Sequence, residues 1–221
     1  KAVRFKSDGF YFLAGRKELV ELRLRRYRIA EKKYQRAVKV ARLISSLPFI
    51  KMISVCNTLA YSNSKEASDI DFFIIAKAGR IWLARFFSVL FLSLFRLRPS
   101  FKDSKDKICL SFFIADNHLD ISRVAKKPYD IYLYYWIVKL IPIYDDGVYR
   151  RFCDANVWVK DFVPKFAGYL PVERRDARPF ASFKNFWEFC LRGRLGNALE
   201  SVVKFIQIKL MNKRIIETAK E

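Results

Sequence analysis

Histidine and paired cysteine are what this sequence most lacks. His118 is the single histidine, and Cys56, Cys109, Cys153 and Cys190 form no CxxC pair. That argues against a zinc site built from histidine and cysteine. Three of the cysteines sit inside apolar runs, where a thiol serves as a small core side chain, and a reduced, cytoplasmic protein fits this usage. No stretch reaches the length of a bilayer span. The greasiest, "WLARFFSVLFLSLF" (82–95), is interrupted by Arg85 and followed by Arg96 and Arg98, so it reads as a buried helix and not as a transmembrane segment. A membrane-surface role is the lesser alternative. There is no internal repeat and no low-complexity tract. No signal peptide is visible, and the start at Lys1 without methionine leads us to expect a fragment or a processed chain.

Acidic residues are scarce relative to basic ones. The 22 Asp+Glu against 43 Lys+Arg leave a formal net charge of +21. A compact domain with that excess repels itself, so a polyanion is the natural partner: RNA, DNA or an anionic membrane face. With 52% hydrophobic and 16% aromatic residues over 221 positions, the chain can bury one sizeable core and a small second lobe.

Residues 3–13 place apolar residues either side of Asp8-Gly9, a hairpin pattern. From 15 to 42 the chain is helical and basic. Ala30, Tyr34, Ala37, Ala41 and Ile44 form one apolar stripe, and Pro48 closes the helix. The cations Arg23, Arg25, Arg26, Arg28, Lys32, Lys33 and Arg36 make this helix the expected nucleic-acid-binding surface, with a merely solvated face as the alternative. Strands are expected at 49–56, 69–76 and 107–115, and helices at about 80–97, at 129–141 (ended by Pro142) and over 145–159. A linker is expected at 168–183, followed by two helices, the second with Leu199, Val202, Val203, Ile206, Leu210 and Ile215 mostly on one face. The tyrosines and tryptophan of 129–136 are more often core packing than a base-stacking platform. The pattern describes an α/β (α+β) fold, a mixed sheet covered by helices.

One stretch carries chemistry: "CNTLAYSNSKEASDIDFFII", residues 56–75. Positions i and i+2 of a strand share a face, so Asp69 and Asp71 aim together while Ile70 points into the core. Two adjacent carboxylates repel unless a cation lies between them, and a hard ion such as Mg²⁺ (or Mn²⁺) suits oxygen ligands.

The apolar strand, the polar pair Asn57-Thr58, a spacer of ten residues and then Asp-Ile-Asp entering a second strand resemble the nucleotidyltransferase superfamily of DNA polymerase beta, in its small bacterial-type form. The resemblance covers about residues 30–115. It implies a nucleotidyltransferase core over 29–165, preceded by a hairpin and basic helix over 1–28 and followed by a linker and helical tail over 166–221. The opening hairpin looks like the remnant of a winged-helix module. The resemblance further implies Mg²⁺ on Asp69 and Asp71, NTP phosphates held by Asn57, Thr58 and Ser68, and transfer of a nucleoside monophosphate to an acceptor. The charge favours RNA, tRNA-like, over DNA or a small molecule as that acceptor. Two positions depart from the family pattern. Asn57-Thr58 replaces Gly-Ser, which is tolerable because asparagine accepts positive φ and threonine keeps the hydroxyl. The third carboxylate on the next strand is missing: Ser111 is expected to face the site, and Asp116 is the candidate substitute as catalytic base. An inactive fold kept as an RNA- or ribosome-binding module is therefore the rival reading. His118 reads as a surface-loop residue.

Overall fold

A computed structural model describes residues 4–7, 9–100, 103–166 and 177–218. Four strands form one mixed sheet: β3 (Ile50–Val55), β4 (Ile70–Ala76), β5 (Ile108–Ala115) and β6 (Ile141–Asp145), in the order β5-β4-β3-β6. β3 runs antiparallel to both β4 and β6, whereas β4 and β5 are parallel. A parallel pair needs a long crossover, and α3 (Ile81–Leu94) supplies it. A separate hairpin pairs β1 (Arg4–Ser7) with β2 (Phe10–Leu13), as the sequence suggests; Asp8 of its turn lies outside the described residues.

The sheet is covered on both sides, and the two cores sort by strand alternation. Ile53, Val55, Ile70, Phe72 and Ile74 pack with α1 (Glu18–Ser45) and α3. Met52, Phe73 and Ile75 pack with α4 (Ile131–Val138) and α5 (Tyr149–Ala155). The whole expected stripe of α1, Ala30, Tyr34, Ala37, Ala41 and Ile44, is buried. Ser45 and Ser46 hydroxyls turn back to the Arg42 carbonyl and end the helix three residues before Pro48. The expected boundary at 28/29 falls inside this continuous helix, because the stripe and the cations keep one period through it.

Pro142 does not follow a helix directly. α4 stops at Val138, and Pro142 lies within β6, an edge strand where its missing N–H is tolerated. A short helix not expected from sequence, α2 (Asn57–Ala60), follows β3. After the segment 167–176, which holds most of the expected linker and lies outside the described residues, come α6 (Ala181–Cys190) and α7 (Gly193–Thr218). No described helix is long and apolar enough to cross a membrane.

α6 is tied to the sheet through a buried lysine. The Lys184 ammonium donates to the Ile50 carbonyl at 2.6 Å and to the Tyr144 hydroxyl at 2.7 Å. Burial holds its pKa below the ordinary lysine range, with Glu188 and Asp146 opposing the shift. The unfolded chain therefore binds this proton more tightly, and stability should rise with pH between the depressed value and that of free lysine. The raised thiols of Cys56, Cys109 and Cys153 work in the opposite direction, so the lysine is read as a difference: in urea unfolding from pH 7 to 10, the stability of wild type relative to Lys184→Met should increase with pH.

Candidate metal and nucleotide site

Three strand ends meet at one edge of the sheet. β3 leaves through Cys56 into Asn57, β4 enters through Asp69 and Asp71, and β5 enters through Cys109, which stands in register with Asp71. One ligand atom each from Asp69, Asp71 and Cys109 lie within 4.8 Å of one another. The aspartates converge as the period-two argument requires. Burial, then the neighbouring Asp71 charge, pushes the Asp69 carboxyl above its ordinary range. The Cys109 thiol is raised too, mainly by burial and in part by both aspartates. Such a group of half-buried acids and thiol could hold a metal ion.

Ser111 also faces this cluster. A register shift between Phe72 and Phe73 places it beside Asp71, and its hydroxyl donates to Asp71 Oδ1 at 2.6 Å. It is an exposed residue that orients a carboxylate, and it faces the site as expected.

Asp116 must be reassigned. Its backbone N–H bonds to Ala76, five residues along β4 from Asp71, so at about 3.3 Å per residue it stands roughly 16 Å from the pair. There its Oδ1 accepts the Ala78 N–H at 2.8 Å. Because β4 and β5 are parallel, the C-terminal end of β5 cannot reach the N-terminal end of β4. His118 is exposed in the loop that follows, as expected. The position that sequence reasoning missed is Cys109. Cys109 and Ser111 are two residues apart, as Asp69 and Asp71 are, but only the register identifies Cys109 as the partner of Asp71.

Asn57 takes φ +53°, the left-handed conformation that asparagine tolerates better than other non-glycine residues. Its Oδ1 accepts from Tyr132 Oη at 2.7 Å and from Trp136 Nε1 at 3.1 Å, pinning the turn to α4. Tyr134 and Trp136 are core residues, whereas Tyr129, Tyr132 and Tyr135 are exposed. Thr58 is exposed in α2, and Ser68 donates to the Lys65 carbonyl at 2.8 Å within the loop. Asn57→Ala should cost about 2–3 kcal/mol, from left-handed strain plus two lost hydrogen bonds. Asn57→Gly should cost less, because it keeps only the second penalty; urea unfolding of the two variants separates these contributions.

The cations of α1 divide into two groups. Arg23 donates to the Ser62 carbonyl at 2.5 Å and the Tyr61 carbonyl at 3.0 Å, and Arg26 reaches Asn63 Oδ1 at 3.3 Å. Lys33, only 2% exposed, donates to the Ser68 carbonyl at 2.7 Å and pairs with Asp106 at 2.5 Å. These three clamp the loop that carries the chain from α2 to Asp69. Lys33 is therefore not a nucleic-acid-facing residue. Arg28 and Lys32 are exposed, Arg25 is exposed beside Glu66 at 3.9 Å, and Arg36 is half-buried.

Comparison with protein-family models, with curated proteins and with solved structures gave no match.

Proposed function

We propose that the chain is a divalent-metal-dependent nucleotidyltransferase that moves a nucleoside monophosphate from an NTP to an acceptor, RNA before DNA. The observation that carries this reading is the convergence of Asp69, Asp71 and Cys109 next to the positive-φ turn at Asn57. Asp69 and Asp71 would hold the ion, Mg²⁺ or Mn²⁺, with Cys109 as a third donor. A bound ion supplies charge neutralisation for the triphosphate and its departing pyrophosphate. The protein's own part is positional. Ser111 fixes the Asp71 carboxylate, the clamped loop fixes Asp69, and Asn57 and Thr58 present the turn to the phosphates. Arg25, Arg28 and Lys32 line an exposed helix face suited to the acceptor's backbone.

A thiolate donor is softer than a carboxylate, which favours Mn²⁺ over Mg²⁺ at this site. Binding of labelled ATP or GTP should therefore be stronger with Mn²⁺, and Cys109→Asp should shift the preference toward Mg²⁺. Metal-independent nucleotide binding, unchanged in Asp71→Asn, would remove the basis of the proposal.

A second reading has its own observation. The position where the resemblance implies a third carboxylate is shared by a thiol and a hydroxyl, and the hydroxyl already occupies Asp71. An inactive fold that binds RNA would keep the charge without needing a base.

A further inference from the structure

The first helix of the C-terminal part is turned inside out. α6 buries its charged side: Lys184 is 6% exposed against Ile50 and Tyr144, and Glu188 accepts the Phe49 N–H at 2.9 Å. Its outward side carries Phe183, Phe186, Trp187 and Phe189, the last 74% exposed. The rings are contiguous: Trp187 lies 5.8 Å from Phe186 and 6.3 Å from Phe87, and Phe87 lies 5.4 Å from Phe86. The apolar surface thus runs onto α3, where Leu90, Leu94 and Phe95 are exposed as well. On α7 part of the apolar face stays open, with Val202, Ile206 and Leu210 each at least half exposed while Val203 packs against the core. A monomeric protein rarely leaves so continuous an apolar surface without a use for it.

Charge narrows what covers this surface. Glu188 and Glu200 are the two acidic residues between 180 and 213, and both are turned inward. The Glu200 carboxylate caps α3, accepting the Trp82 and Leu83 N–H groups at 2.9 Å each. Arg192, Arg194, Lys204 and Lys209 are exposed around the apolar patch. Between residues 180 and 213 the face is therefore apolar and cationic, with no exposed carboxylate. A single-stranded nucleic acid answers the cations and can stack bases on the rings, but it gains nothing from the aliphatic side chains of Leu90, Leu94, Val202, Ile206 and Leu210 that extend the face. A second copy would bring like charges together. An anionic bilayer surface answers both features: headgroups meet the cations and the acyl boundary takes the rings.

We infer that the outer face of α3, α6 and α7 docks in the plane of an anionic membrane. This inference is independent of the nucleotide site. The test uses the full chain with vesicles of phosphatidylglycerol and phosphatidylcholine, and with phosphatidylcholine alone. Flotation should show binding to the anionic vesicles only. Phe186→Ser/Phe189→Ser, which alters exposed positions and no charge, should weaken it by about tenfold or more. Brominated acyl chains should quench tryptophan emission in wild type and much less in Trp187→Phe. Equal vesicle affinity of wild type and the double serine variant would mean adsorption by charge alone and would overturn the inference. So would self-association in sedimentation, or RNA affinity, that the same double variant abolishes.

Discussion

Lys33→Met is expected to destabilise the protein by about 2–4 kcal/mol, a large effect for one side chain on a predominantly basic helix. The ammonium has three protons and three acceptors: the Glu66 carbonyl at 3.2 Å, the Ser68 carbonyl at 2.7 Å and Asp106 Oδ1 at 2.5 Å. Methionine keeps the length and the apolar contacts but leaves all three oxygens without their donor. Asp106 is 37% exposed and can turn to water, which limits the cost on that side; the Ser68 carbonyl has the Asp106 N–H at 3.2 Å as its remaining partner. The loss also reaches the candidate site, since Ser68 precedes Asp69. Urea unfolding should show the lower stability, and Mn²⁺ affinity should fall with it. A change below about 1 kcal/mol would mean that the other contacts of the loop, from Arg23, Arg26, Ser104 and Lys105, hold it without Lys33.

Asp69→Asn and Asp71→Asn are expected to move activity and stability in opposite directions. Removing either carboxylate should lower nucleotidyl transfer by about 10²–10⁴-fold, the equivalent of several kcal/mol of charge stabilisation. Without metal, the same substitutions should raise the melting temperature, because each relieves repulsion between two half-buried acids. Asp69→Asn should raise it more, since burial and Asp71 both work against its ionised form. The double variant should be little less active than either single one, because the carboxylates act as a unit. Activity retained in Asp71→Asn would place the chemistry elsewhere.

Much of this site is legible in the sequence because it depends on local geometry. Asp69 and Asp71 face together through the two-residue period of a strand, and Asn57 occupies a positive-φ turn for which asparagine is suited. Cys109 is not legible in the same way: its role depends on the register of a parallel strand nearly forty residues away, which the alternation along β5 alone does not fix. Lys33 is a different case. It lies between Ala30 and Ala37 at spacings of three and four, within the buried stripe, and its charge disguises its position. β6 is hidden by Pro142, which reads as a helix stop wherever the edge of a sheet is not known. For α3 and α7, periodicity identifies which face is apolar, but says nothing of whether another element covers it. That is why a helix read as buried turns Leu90 and Leu94 outward.

The most direct measurement is transfer itself: purified protein incubated with each α-labelled NTP, Mg²⁺ or Mn²⁺, and total cellular RNA, beside Asp69→Asn/Asp71→Asn. Label should enter RNA with the wild type and not with the double variant, and the favoured NTP gives the base. Absence of transfer to RNA or to the protein itself, with tight and salt-sensitive RNA binding by both proteins, would contradict the enzyme and leave a binding fold.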